Sequence, residues 1–539
     1  MMLLATVLGP LLLALLALLA PSARQARGAA LAGGLLVLAI GAGYSLDFLH
    51  HPGADFRGVW SWPWLPALGS AFTLGVDGPA ALLLCLSGLV ATVATVLAWH
   101  EAQRPQLYHA LVLGLLAAVD AVFTALDLVV FYAGFEGTLV PMLLLIGWWG
   151  GAQRRYAARK FVVFTLAGSV PLLLLLGLLF ARTPQDGVRV AVPAAVVAAH
   201  QDPATGAVHG LAALPGEPGQ PTMVLVPRSF DLRHLALAAP HWQAERLAGG
   251  SLAVLGFLCV LLACLVKIPG VPLHTWLPHA HVQAPTPVSV LLAGVLLKLG
   301  VFGLYRVALP LFPGAAVAAL PWLGLCGALG ATYGALVALG QRDLKRLVAY
   351  ASVSHMGFCL LGFASGSAAG CSAALVQAFT HGLGSAMLFL LVGALYDRAH
   401  HRDRTGFGGL ALPMPAFGWW FLFAAMAGIG LPGLAGFPGE FLALSAAFAA
   451  PGWLSWCALL TVPAVVLSAA YLLLAYRQVV TGPLRHAEHA AFADLDRRER
   501  LALWPLGALL LLFGLWPGAL LAVVRPACAL LAALLEVAP

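Results

Sequence analysis

The sequence predicts an all-α polytopic membrane protein of about fourteen transmembrane helices, and three observations carry that expectation. Of its 539 residues, 61% are hydrophobic and 9% charged, with a mean hydropathy of +0.94, whereas soluble domains carry about a quarter charged residues. Apolar stretches close to the roughly 20 residues that cross a bilayer recur from end to end. Basic residues gather between these stretches rather than within them.

The stretches fall at about 2–20, 29–46, 78–99, 107–126, 128–149, 160–181, 249–268, 286–308, 317–340, 346–366, 371–396, 415–434, 455–477 and 502–524. The first has no basic leading region, so it reads as a retained helix even though ALLAPSA resembles a cleavage site. Loops after odd-numbered stretches hold 18 of the 28 Lys and Arg, among them Arg24, Arg104, Arg154, Lys345, Arg398 and Arg497. By the positive-inside rule those loops are cytoplasmic and both termini face the other side. The formal charge of +7 expresses this bias and gives no ground for nucleic-acid binding.

Two loops are long. Residues 182–246 are rich in Ala, Pro, Gly and Val and show no catalytic pattern; residues 478–501, with HAEHAAFADLDRRERL, predict a short charged surface helix. The eight cysteines include no CxxC and mostly sit in apolar stretches, so they read as small core residues rather than ligands of a cluster or haem.

Chemistry is expected where charge enters the apolar stretches. Lys267 lies in LLACLVKIPG and Lys298 in AGVLLKLG, and an ammonium in hydrocarbon is costly unless paired, hydrated or deprotonated. Two stretches are broken by Pro and Gly at depth, LVKIPGVPLHTWLPHAHVQAP and GIGLPGLAGFPGEFLAL. Such breaks expose backbone groups and persist only where they are buried in protein or line a polar cavity. A matched pair of broken helices points to inverted repeats with ion sites at the interruptions. Lys267 stands beside the first break and Glu440 beside the second; the alternative is a pair of kinked packing helices. Glu136 is a third candidate, mid-stretch with Pro141 after it, and could stay charged if it faced Lys267.

His355 and His381 interrupt apolar helices between Lys298 and Glu440 in chain order, placing imidazoles that can accept and donate protons between the other groups. His274, His279 and His281 surround the first break. Flanking prolines and the lack of acidic or thiol neighbours disfavour zinc, so they form a candidate polar access path. Asp127 reads as a helix cap or hydrogen-bond acceptor, and Asp120, deeper, has no assigned role. No dinucleotide fingerprint, Walker sequence or serine nucleophile is present, so no redox or hydrolytic site is visible.

These residues also occur in a recognisable order. KIPGVPLHTWLPHAHVQAPTPVSVLLAGVLLKLGVFGLYR (267–306), QRDLKRLVAYASVSHMGF (341–358), QAFTHGLGSAMLFLLVGALYDR (377–398), GLPGLAGFPGEFLAL (430–444), YAARKFVVFTLAGS (156–169) and FEGTLVPM (135–142) resemble the antiporter-like membrane subunits of respiratory NADH–quinone oxidoreductase. Among the three paralogous types of that family the chain looks most like the M type, on the lysine of AGVLLKLG and the glutamate of PGEFL. The resemblance spans roughly 75–480 and implies two inverted five-helix repeats with two discontinuous helices. Helices 1–3 would occupy 1–106, the first repeat 107–308 (helices 4–8 with the loop 182–246) and the second 309–480 (helices 9–13). A cytoplasmic loop and a last transmembrane helix would fill 481–539.

It further implies a proton-handling axis of Glu136, Lys267, Lys298 and Glu440, with His355 and His381 as relay. A pulse from neighbouring subunits would alter the Glu136–Lys267 interaction, lower the lysine's proton affinity and send its proton through Lys298 and the histidines to Glu440. NAD, FMN, iron–sulfur clusters and quinone would belong to partner subunits, with no cofactor in this chain. Its partners would be L- and N-type paralogues in the bacterial inner membrane. A cation/proton antiporter, a membrane-bound hydrogenase and a non-pumping scaffold are the alternatives. The chain departs from the family's usual pattern in His279 for aspartate and in the length of 182–246, and its APTPVS resembles the other paralogues more than the APTAGS usual for the M type.

Overall fold

The computed structural model describes residues 1–101, 103–192, 194–201, 207–214 and 222–537. In chain order the main elements are α1 (Met2–Leu19), α2 (Ala23–His50), the hairpin β1 (Arg57–Leu65) and β2 (Ser70–Val76), α3 (Gly78–Leu97), α4 (Pro105–Thr124), α5 (Leu128–Gly137), α6 (Leu139–Trp149) and α7 (Arg154–Arg182). The segment after α7 folds as β3 (Val188–Ala191), α8 (Ala194–His200), β4 (Met223–Val226), α9 (Leu232–Leu237) and α10 (Ala239–Ala244). Then come α11 (Leu252–Lys267) and α12 (Trp276–Gln283), followed by one long helix, α13 (Thr286–Leu311). The chain continues through α14 (Pro313–Gly340), α15 (Leu344–Ala364), α16 (Ala368–Ala399), α17 (Pro415–Ile429), α18 (Gly436–Ala449), α19 (Leu454–Val480), α20 (Arg497–Leu515) and α21 (Pro517–Glu536).

Among the described residues twelve helices are long and apolar enough to cross a membrane, and α11 and α17 are shorter apolar helices. Both short helices stop at the breaks expected from sequence. Lys267 is the last residue of α11, and Pro269 and Pro272, which lack N–H donors, follow it. At the second break Gly430 caps α17 with φ 77°, a left-handed conformation that glycine adopts without Cβ strain, and α18 resumes at Gly436.

Burial separates centre from rim. The most apolar windows of α13 and α16 are 100% buried and that of α15 94%, against 28% for α1 and 39% for α7 and α19. The three central helices carry Lys298, His381 and His355 respectively, so the charge-bearing helices are those the bundle shields most completely. Peripheral helices show leucines and valines outward, as a lipid-facing surface does.

Two expectations need correction. The apolar stretch 502–524 is not one helix: α20 ends at Leu515 and α21 begins at Pro517, whose ring cannot continue the hydrogen-bond ladder. The Val523 carbonyl lies against Gly78 at the start of α3, and Val537 lines the same cavity as Asp77, the residue before it. Fourteen helical residues extend about 21 Å, so α21 runs across this end of the bundle rather than through it. The charged segment 478–501 contains only the 3-10 turn Ala487–Ala491 before α20 begins at Arg497. Here α20 takes over the basic run, capped by Asp496 and Glu499 in a reciprocal capping box. Short antiparallel hairpins, β1–β2, β3–β4 and Arg246–Leu247 with Gly250–Ser251, supplement the helices.

The described parts of 182–246 and the β1–β2 hairpin sit together at what we call the hairpin end. Phe56 stacks on His200 at 5.8 Å between ring centroids, and His200 meets His209 at 4.4 Å. Burial holds the His200 imidazole down to about 4 and the His209 imidazole down to about 3, with nearby charges adding smaller pushes. A free histidine titrates near 6.5, so below that pH the unfolded segment binds more protons than the folded one, and folding is opposed progressively. Hydrogen exchange of 188–201 and 223–246, corrected for intrinsic rate, is therefore expected to accelerate as pH falls from about 6.5 towards about 4. The double substitution His200→Leu, His209→Leu is expected to flatten that dependence.

Candidate functional site

The centre of the bundle holds a row of buried ionisable groups. Lys298, fully buried on α13, donates to the Ala293 carbonyl at 2.5 Å and lies 2.9 Å from His381 Nδ1 on α16. Its acceptor five residues back belongs to a π-helical turn, Leu292–Leu296; such turns widen the helix locally and recur at functional sites. A lysine ammonium only donates, so this contact requires His381 Nδ1 to be the acceptor and places the ring proton on Nε2.

The His381 and His355 ring centroids are 5.5 Å apart. His355 Nδ1 is 2.7 Å from Glu440 Oε1, to which Gln377 Nε2 also donates at 3.2 Å. Glu440 is 5% exposed, His355 8% and His381 7%. Between them lies a cavity of about 30 Å³ lined by His355, His381, Gln377, Thr380, Ser385 and Glu440. A water needs roughly 10–15 Å³ by this kind of measure and several polar partners, so about two fit here. Together they would bridge the two imidazoles, the only step of this row longer than a hydrogen bond.

Glycines set these distances. A Cβ on Gly439 would stand 2.8 Å from the Gln377 Cα, so only glycine lets α18 approach α16 closely enough to bring Glu440 to His355. Gly439→Ala is expected to cost about 1–3 kcal/mol through overpacking and to displace Glu440. Thermal denaturation and proton translocation of the assembled protein would both fall, where a tolerated alanine would change neither.

Lys267 is 2% exposed and donates to Thr138 Oγ1 at 3.0 Å and to the Phe135 carbonyl at 3.4 Å, with the Phe135 ring 4.6 Å away. These acceptors flank the junction of α5 and α6, near Pro141, which leaves the Gly137 carbonyl without its helical donor. The expected direct Lys267–Glu136 pairing is absent: no ion pair within 4.0 Å joins them among the described residues. The cause is helical phase. Phe135 and Thr138 share the face turned to Lys267, whereas Glu136 is rotated about 100° from Phe135, onto a face with exposed Ala133, Gly137 and Val140. Glu136 is half-buried and acts on Lys267 through the field alone.

The helices bearing the two lysines touch, since a Cβ on Gly300 of α13 would stand 2.6 Å from the Cys264 carbonyl of α11. No hydrogen bond joins Lys267 to Lys298 among the described residues.

The three histidines of the first break go to three places. His274 packs edge-on to Tyr333 at 5.2 Å, with neither ring nitrogen hydrogen-bonded among the described residues. His279 Nδ1 lies 2.8 Å from the Thr275 carbonyl and 3.4 Å from Lys160 Nζ. One nitrogen cannot donate to the first and accept from the second, and the shorter contact identifies it as a donor. His281, fully buried, stacks on Phe389 at 4.2 Å with both nitrogens unbonded among the described residues, within electrostatic range of Lys298 and Lys345. They therefore share no ligand-binding point.

Sequence reasoning missed Lys345. Counted among the loop cations, it is 2% exposed and donates at 2.8 Å to the Ala284 carbonyl that ends α12. Its position second in α15, facing inward, was hidden by the adjacent Arg342 and Arg346. Also missed was Asp77, which caps α3, accepts from Tyr305 at 2.5 Å and lies 2.6 Å from Arg306. Asp127 caps α5 as expected, accepting from Val129 and Val130. Asp120 accepts from Ser87 at 2.6 Å, and its other oxygen has no partner among the described residues.

Residues 125–194 and 223–468 match the pattern of the NADH:quinone oxidoreductase/Mrp antiporter transmembrane proteins, more than half of the chain and every residue of the row. The chain belongs to this family. It is 38% identical to NADH-quinone oxidoreductase subunit M of Rhodobacter capsulatus over 479 residues, covering 89% of this chain and 85% of the relative. To the subunit M of Rickettsia prowazekii it is 34% identical over 470 residues, covering 86% and 84%. Its fold superposes on a chain of the respiratory complex I of Thermus thermophilus with bound NADH at a TM-score of 0.80, 31% identity and 99% and 100% coverage. The Mrp complex of Dietzia matches at a TM-score of 0.73 and 24% identity, covering 98% of this chain and 52% of that one, a likeness of fold alone.

Proposed function

We propose that this chain is the M-type, proton-translocating membrane subunit of an NADH:quinone oxidoreductase. The observation that carries the reading is the row Lys298–His381, His355–Glu440, made of buried groups on central helices in a chain 38% identical to a subunit M. Burial makes each group's protonation sensitive to a neighbouring charge, since in a low-dielectric interior a nearby charge acts far more strongly than in water. The enzyme's redox chemistry belongs to partner subunits carrying NAD, FMN, iron–sulfur clusters and quinone.

The mechanism runs from Glu136. On its open face it meets a neighbouring subunit, and a change of charge there alters the field at Lys267. Lys267 passes a proton through water to Lys298, Lys298 to His381, and the imidazoles to Glu440 and the exit. Residues 107–308 and 309–480 act as inverted repeats, L- and N-type paralogues flank the chain in the bacterial inner membrane, and both termini face the non-cytoplasmic side. His274 and His281, whose ring nitrogens have no partner among the described residues, supply an access path; His279, tied to Thr275, positions α12.

Inverted membrane vesicles test this. NADH oxidation should acidify them through the assembled complex, whereas added Na⁺ in antiporter-deficient vesicles bearing this chain should collapse no pH gradient. Sodium-driven proton exchange without NADH would establish the antiporter reading instead, as would neighbouring genes for antiporter rather than quinone-oxidoreductase subunits.

A further inference from the structure

Gln377 stands one helical turn before His381 on α16 and is 1% exposed. Its Nε2 lies 3.2 Å from Glu440 Oε1, the oxygen that His355 Nδ1 also approaches at 2.7 Å. An amide nitrogen only donates, so Oε1 accepts from it; the opposite amide orientation would set two oxygens face to face. The amide oxygen has no partner among the described residues, and a Cβ on Gly439 would stand 2.5 Å from it. Glycine at 439 therefore leaves the room that this orientation of Gln377 needs.

A donor already on Oε1 decides where the proton of the 2.7 Å contact rests. Hydrogen bonds to an ionised carboxylate are stronger than those to a neutral carboxyl oxygen, so the proton stays on His355 Nδ1 and leaves Nε2 bare. His381 is the other way round: its Nδ1 accepts from Lys298, and its proton is on Nε2. Neither Nε2 has a hydrogen-bond partner among the described residues, and both rings line the cavity of about 30 Å³. One ring thus brings a donor to that cavity and the other an acceptor.

We infer that Gln377 is the positioning residue that gives the row its direction, an inference that rests on the proton-translocating reading above. With Gln377 donating to Glu440, every N–H points the same way: Lys298 to His381, His381 through cavity water to His355, and His355 to Glu440. One proton passes by a hop at each bond, leaving Lys298 a neutral amine and Glu440 a carboxylic acid. Each ring ends as its opposite tautomer, so the row then points backwards. Once Glu440 has lost its proton to the exit, the rings must turn before a second proton follows. The Glu440 oxygen held by Gln377 is the acceptor to which the His355 N–H turns.

Infrared spectroscopy of the assembled complex at rest, with isotope-labelled histidine, tests this, because the two imidazole tautomers absorb at different frequencies. His355→Asn identifies the band of that ring. The expected result is an Nδ1–H band for His355 in the wild type that Gln377→Met, similar in length but without a donor, moves to the Nε2–H position. Pumping per NADH should fall at least about tenfold with it. Gln377→Asn, whose amide sits on a stem too short to reach Oε1, should do the same, and NADH oxidation confirms assembly of both variants. An Nε2–H band for His355 in the wild type, or a band that stays in place in both variants, would overturn the inference whether or not pumping falls. Because the band is read without turnover, it stands or falls separately from proton translocation, which wild-type vesicles report.

Discussion

Lys298→Arg is expected to abolish most proton translocation while the complex still assembles. Arginine retains the positive charge beside His381 and the Ala293 carbonyl, but with a pKa above about 12 it does not release its proton. Lysine can deprotonate when desolvated, and here its side chain is fully buried. A positioned proton-transfer group contributes roughly 10²–10⁴-fold, so a fall of at least about tenfold in pumping per NADH is anticipated. Lys298→Ala removes the proton carrier as well but leaves the His381 nitrogen and the Ala293 carbonyl without their donor, at about 1–3 kcal/mol each. Reduced pumping in the alanine variant alone would mark Lys298 as a packing residue; reduced pumping in both marks it as a carrier. Proton uptake by proteoliposomes, normalised to NADH oxidation, distinguishes the two.

Glu440→Gln has the second large effect. The amide keeps the shape of the carboxylate and an oxygen for the Gln377 donor, so packing of α18 on α16 is preserved. It cannot take up or release a proton, and its neutral oxygen is a weaker acceptor for His355, now 2.7 Å away. Translocation should fall by at least about tenfold, with the melting temperature changed much less than in Gly439→Ala, because proton transfer rather than packing is lost. Glu440→Asp, which retains the carboxyl on a shorter stem, should recover part of the activity. Equal loss in both variants, accompanied by equal destabilisation, would instead indicate a structural ion pair.

Much of the architecture was legible in the sequence because hydropathy reports burial in lipid directly. The two breaks were readable from Pro and Gly beside ionisable residues, and His355, His381 and Glu440 do converge. What was not legible depends on three-dimensional phase. Glu136 and Phe135 are adjacent in sequence, yet helical rotation turns the backbone around Phe135 to Lys267 and leaves Glu136 half-buried on the open face. Lys345 looked like one cation of a loop cluster, and only its place in α15 shows that it is buried. The helix α21 was merged with α20 because both are apolar and only Trp516 separates their ends. The ion pair of Asp77 and Arg306 joins residues more than two hundred positions apart, a pairing that local pattern does not encode.

The central claim is that protons occupy and leave the row between Lys298 and Glu440 during turnover. Infrared difference spectroscopy of the reconstituted complex, recorded as NADH is oxidised, observes this directly through the carboxyl stretch. The account predicts a protonated-carboxyl signal that appears or vanishes with turnover in the wild type, is absent in Glu440→Gln, and is much reduced in Lys298→Arg, where proton supply stops. A wild-type difference spectrum reproduced unchanged by Glu440→Gln, with pumping intact, would contradict it.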